Sequence, residues 1–302
     1  MSAAAALHTS LCIKSQKPSS SPTNSQQLNT LLVPKPRSLL HKHPLYSSTH
    51  GNLSFEFKEK IICLEIIGVD SGKALSLNPS LHTASLHSIH SIISFLQSKG
   101  IQQKDLPRIL GMCPQILTAN IKTDLVPVFN FLSIDLKVQE NNFRKVINKC
   151  PRLLTSSVRD QLKPALFYLQ RLGFKDLDAL AYQDTVLLVS NVEHTLIPKL
   201  KFLESIGFSG AEAKGMVRRC PALFTYSIEN NFKPKFQYFS EEMKGNLEEL
   251  KEFPQFFAFS LEKRIKPRHL EVMKSGIYLP LGLMLKTTDE EFKKLMSQGS
   301  VG

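Results

Sequence analysis

The chain has 302 residues, 42% of them apolar, and 38 Lys and Arg against 26 Asp and Glu give a net charge of +12. That apolar share can bury a core, yet no apolar run reaches the roughly 18 residues of a membrane span, which excludes a spanning helix. Five cysteines with no C-x₂-C spacing give neither a disulfide framework nor a zinc site, and the basic excess favours an anionic partner.

The first 50 residues stand apart. They hold no Asp or Glu, 14 Ser and Thr, and the five basic residues Lys14, Lys17, Lys35, Arg37 and Lys42. An acid-free, hydroxyl-rich start reads as a disordered organelle transit peptide over residues 1–50. Mitochondrial presequences lean on arginine, and one arginine here favours the chloroplast, in its stroma or nucleoid, over the mitochondrion. With those five removed, 33 basic residues face 26 acids, a net +7.

Residues 51–76 read as a half-unit of a repeat, with Cys63-Leu64 followed by Gly68. Gly68 to Ala74 briefly resembles a phosphate loop. It lacks the first glycine and a preceding strand, so it reads as a turn between helices. His82, His87 and His90 are expected on one helix, with no cysteine or carboxylate nearby to complete a metal set.

Residues 77–276 carry the repeat itself. Prolines recur thirteen apart, at Pro114 and Pro127, Pro151 and Pro164, Pro221 and Pro234, and Pro254 and Pro267; Thr185 with Pro198 fills the gap. The period of 33 to 37 residues is that of a helical solenoid. The expected fold is therefore all-α, a curved array of about six to seven units, each two α-helices and a short 3₁₀ turn. Residues 190–220 show the plan. Ser190 to Glu193 has capping-box spacing, Ile197, Leu200, Leu203 and Ile206 form one apolar stripe, and Gly207 suits a left-handed stop. Ser209 caps the second helix, Cys220-Pro221 breaks it, and Ala222 to Phe224 makes the turn. Pro198 then sits two turns into the first helix, where proline costs about 3 kcal/mol and kinks it, unless the helix starts at the proline. Five such prolines in register favour kinked helices that curve the array. Residues 277–302 read as a capping helix and tail.

No serine or cysteine nucleophile has motif context, so no catalytic residue, cofactor or metal is expected. Cys113, Cys150 and Cys220 precede first prolines and read as small buried side chains at helix ends. Phe131, Tyr168, Phe202 and Tyr238 read as core rather than as base-stacking platforms. The candidate nucleic-acid contacts form a basic stripe: Arg152, Lys163, Lys199, Arg218, Arg219, Lys233, Lys235, Arg264, Lys266 and Arg268. One cation per unit at a matched position complements regularly spaced phosphates, with the densest clustering at 214–268.

Cys150-Pro151-Arg152-Leu153-Leu154, then Leu162-Lys163-Pro164, then Leu172-Gly173-Phe174, resembles the mitochondrial transcription termination factor (mTERF) family, as do residues 220–239. The resemblance covers about 55–290. It implies a superhelix whose basic concave face holds nucleic acid, typically duplex DNA, in organelle gene expression. The chain would then be a double-stranded-DNA-binding regulator of chloroplast transcription or its termination, not an enzyme, monomeric when bound and without a membrane partner. The alternatives are an organellar RNA-binding factor in splicing or rRNA maturation, and a nucleoid protein scaffold. Thr185 and the proline-free early units depart from the family pattern. Tetratricopeptide repeats would need the tryptophan this chain lacks.

Overall fold

The computed structural model describes residues 54–299, and the leader expected over 1–50 lies outside them. The described residues form an all-α curved solenoid of seven units. The helix pairs are α1 (Phe55–Ile67) with α2 (Ser71–Leu77), α3 (Leu86–Ser98) with α4 (Leu106–Met112), α5 (Val126–Asn130) with α6 (Phe143–Lys149), and α7 (Lys163–Arg171) with α8 (Leu177–Tyr182). Then come α9 (Ile197–Ser205) with α10 (Gly210–Arg219), α11 (Lys233–Glu241) with α12 (Leu247–Glu252), and α13 (Lys266–Ser275) with α14 (Leu281–Lys286). A last helix, α15 (Asp289–Gly299), follows, so the C-terminal segment holds two helices where one was expected. The amino-terminal segment is also fuller than a half-unit: α1 and α2 lead into a 3₁₀ turn at Pro79–His82, which completes a unit. That turn takes His82 off the helix of His87 and His90, and its ring stacks on Phe57 at 5.3 Å.

First prolines open 3₁₀ turns at Pro114–Thr118, Pro151–Thr155, Pro221–Thr225 and Pro254–Ala258. Proline fits the first position of a turn because its amide needs no partner there. Thr185 takes the same place, fully buried, and its hydroxyl donates to the Ala181 carbonyl at 2.5 Å. That bond secures the end of α8 where the other units rely on the ring. Gly173 and Gly207 stop first helices in the left-handed region, at φ 96° and 116°.

The second prolines do not kink a helix, and the helix does not start at them. Each is the second residue of an α segment, and the five residues before that segment form a single π turn: 121–125, 158–162, 192–196, 228–232 and 261–265. In all five, the residue two before the proline donates five positions back to the capping residue. The bonds are Leu125 to Asn120, Leu162 to Ser157, Leu196 to Asn191, Phe232 to Ser227 and Ile265 to Ser260, at 3.0–3.2 Å. A turn widened by one residue makes room for the ring, and the missing N–H falls where the register changes. The helices α1 and α3 lack the proline and start without a π turn. The cap in the fifth unit is Asn191, not Ser190: its side chain accepts from the His194 amide at 2.8 Å.

Leucines and phenylalanines fill the interior continuously. Phe232 lies 5.4 Å from Phe202 and 4.8 Å from Phe257, so one ring bridges successive units. Phe131 is buried, while Tyr168, Phe202 and Tyr238 pack against the same core. Cys113, Cys150 and Cys220 are buried free thiols at helix ends, and burial raises the pKa of each.

Candidate nucleic-acid interface

The position after the second proline faces inward in every unit. Counted four residues before the recurring Leu, Phe or Val of each unit, which also places it in the two units without that proline, it is Lys60, Ile92, Val128, Ala165, Lys199, Lys235 and Arg268, all buried. Lys199, Lys235 and Arg268 are therefore turned away from any phosphate. The Lys199 ammonium donates to the Phe224 carbonyl, and Lys235 donates to Phe257 at 2.7 Å. Arg268 donates to the Met284 and Thr287 carbonyls at 2.7 and 2.9 Å and pairs with Asp289 at 2.5 Å. Lys60 makes the same contact with Leu81 and His82 at 2.9 and 3.1 Å. Lys60, Lys199 and Lys235 thus tie a first helix to the 3₁₀ turn that closes its unit, and Arg268 ties α13 to the end of α14 and to α15. Burial lowers the Lys199 pKa and brings that of Lys235 down to about 8.

The rest of the stripe divides. Arg264, half-buried, donates to the Leu285 carbonyl at 2.9 Å, and Arg219, exposed, donates to the Lys251 carbonyl. Lys233 and Lys266 are neutralised one turn away by Glu229 and Glu262, each pair at 2.6 Å. Arg218 lies exposed across Gly173, where any β-carbon would come within 3.0 Å of its Cδ. Arg152 is exposed on its 3₁₀ turn, and Lys163 is exposed with Asp135 at 3.5 Å.

Sequence reasoning missed the residue that decides this pattern. The second position of the π turn is Lys122, Arg159, Glu193, Glu229 and Glu262 in successive units. At Glu229 and Glu262 the lysine four residues on is paired, at Glu193 that place is Ile197, and at Arg159 it is Lys163, a second cation. Arg159 and Lys163 line a groove of about 840 Å³ together with Gln115, Thr118, Thr155 and Ser157. The one carboxylate in its wall, Asp124, accepts from the Asn120 amide and the Thr123 hydroxyl at 2.8 Å each. Hydroxyls, an amide side chain and two cations facing one open groove can grip a phosphate backbone through charge and hydrogen bonds.

The mTERF family profile matches residues 25–182 and 182–293. The chain belongs to the mTERF family. It is similar to the chloroplastic transcription termination factors MTERF4 and MTERF5 of Arabidopsis thaliana. Against MTERF4 it is 38% identical over 90 residues, 30% of this chain and 16% of that protein. Against MTERF5 it is 42% identical over 83 residues, 28% of this chain and 17% of that protein. MTERF4 of Zea mays is 35% identical over 92 residues, 18% of its length. The matched stretches thus span less than a fifth of these curated relatives. Within this mTERF array the groove falls between the turns that launch α5 and α7. No described helix is long and apolar enough to cross a membrane. Among the described residues no cluster of three or more His, Cys, Asp or Glu could hold a metal ion.

Proposed function

We propose that this mTERF protein binds nucleic acid, duplex DNA first, to control transcription in the chloroplast, and that the contact centres on the groove of Arg159 and Lys163 with Arg152 and Arg218 outside it. The observation that carries this reading is the difference between units: Lys163, 3.5 Å from Asp135, shares an open groove with Arg159, whereas Lys233 and Lys266 hold glutamates of their own helices at 2.6 Å. Family membership supports the nucleic-acid reading, and the names of the relatives together with the acid-free leader support the compartment.

Duplex binding measured by fluorescence anisotropy over a salt series tests it. Affinity should fall steeply with salt, and Arg159→Ala with Lys163→Ala should reduce the log–log slope by about 2, at about 0.9 per phosphate contact. Lys233→Ala with Lys266→Ala should change it by less than one contact. Equal losses from the two pairs would move the site out of the groove.

One observation favours RNA as the second reading. Phe167 is 62% exposed, one turn beyond Lys163, with the Arg171 guanidinium 5.9 Å from its ring centroid. An exposed ring between two cations suits an unstacked base better than a duplex. Competition of duplex DNA against single-stranded RNA, repeated with Phe167→Ala, separates the two: a loss confined to RNA supports the second reading.

A further inference from the structure

The amino-terminal unit holds a pair of soft ligands with no role in the groove. The Cys63 Sγ on α1 lies 3.4 Å from the His90 Nε2 on α3. Cys63 is half-buried and His90 exposed, so the pair opens to solvent. A tetrahedral zinc ion with bonds of about 2.3 Å to sulfur and about 2.0–2.1 Å to nitrogen holds those two atoms about 3.5 Å apart. The helices thus already set the bite of two zinc ligands. With no third His, Cys, Asp or Glu placed to join them among the described residues, the pair supplies half of a coordination shell.

A second feature lies on the same helix. Phe55, Ile62 and Ile66 are 77%, 51% and 78% exposed, and their spacing of seven and four residues puts them on one stripe. Cys63 follows Ile62 directly, so the stripe borders the pair. A terminal unit of a solenoid ordinarily presents a polar outer face. Here three exposed apolar side chains share the outer face of α1 with Glu56, Lys58 and Glu65.

We propose that Cys63 and His90 form half of a zinc site that a second copy of this chain completes, with the α1 stripes of the two copies closing on each other. A two-fold axis brings the same patch of both copies together and turns two Cys-His pairs into a closed Cys₂His₂ set. Each thiol releases its proton to solvent as it takes the metal, and zinc keeps its oxidation state. Burial of Ile62 and Ile66 against their symmetry mates adds apolar area that the ion alone would not supply.

The test uses the full 302-residue chain with Cys12→Ser, titrated with Zn²⁺ and followed by sedimentation. The expected result is conversion from 34.0 kDa to twice that mass, reversed by a chelator, with one metal per two chains. Cobalt in place of zinc should give a thiolate charge-transfer band at the same stoichiometry. Cys63→Ser and His90→Ala should each abolish the band and the metal-driven dimer, and Ile66→Glu should weaken dimerisation at least tenfold. A chain that stays monomeric in zinc, one metal per chain, or a dimer that survives Cys63→Ser would overturn the proposal. So would protection of the α1 stripe by residues that precede it in the same chain.

Discussion

At the position after the second proline a side chain meets the next turn whatever its chemistry. Lysine is tolerated there because a turn carbonyl accepts from its ammonium, at the cost of desolvating the charge. For Lys235 that desolvation brings the pKa from an ordinary 10.5 to about 8. Between those values the unfolded chain holds a proton the folded chain has released, so this residue's contribution to stability rises with pH from 8 to 10.5. Lys235→Met should flatten that rise in urea midpoints taken from pH 7 to 11; an unaltered slope would place the titration elsewhere. The inward turn was legible in principle. Val128 and Ala165 occupy the same register and mark it as core, but reading lysine as solvent-facing by default hid it. A second residue-scale prediction concerns Lys137 and Lys244, which take φ 60° and 50° where other units end the helix on glycine. A side chain there costs about 1–2 kcal/mol. Lys137→Gly should raise stability by about 1 kcal/mol, read as a higher melting temperature, and a drop would mean the lysine side chain makes a compensating contact.

The π turn explains why five prolines are harmless in their helices. Because the register already changes at the ring, Pro164→Ala should alter stability by less than about 1 kcal/mol. Ser91 holds the equivalent slot in α3, which starts without that wide turn. Ser91→Pro should therefore cost about 3 kcal/mol. Equal effects from the two substitutions in denaturant melts would show that the wide turn does not depend on proline. The paired helices of the central units, the 3₁₀ turns and the glycine stops were readable from spacing, since each rests on a residue with a restricted backbone, whereas the two ends, short of prolines, hold more helix than spacing showed. The π turn was not. Its residues keep an apolar position every three to four places, and a period of 3.6 cannot reveal one inserted residue. Arg159 was passed over for a related reason: the signal lies in the change from basic residues in the earlier units to Glu in the later ones, not within any one.

Across the whole array, polar ties between second helices complement the apolar core. Glu212 on α10 accepts from the Ser209 amide and hydroxyl and pairs with Lys251 on α12 at 3.1 Å. Those bonds, the Ser209 ones foremost, hold its carboxyl at about 2 against an ordinary 4.5. The stability it confers is present above pH 4.5 and is lost as pH falls from 4.5 to 2. Glu212→Gln should remove that part of the acid limb, and an unshifted limb would assign it to other carboxylates. Period and composition made the solenoid readable at this scale, while the division of cations between interior and surface needed three dimensions. That division also sets the mechanics of the coil. Directional cation–carbonyl ties brace the helices at Lys60, Lys199, Lys235 and Arg268, whereas Ile92, Val128 and Ala165 make contacts that can slide without losing a bond. Near the centre, over the joint at Val128, the directional ties sit on the second helices instead, where Arg144 on α6 pairs with Asp105 at the start of α4 at 2.6 Å. Under the proposed function, a strand held in the groove of Arg159 and Lys163 loads joints of apolar contact and second-helix ion pairs, while the carboxyl-terminal joints also carry buried cation–carbonyl bonds.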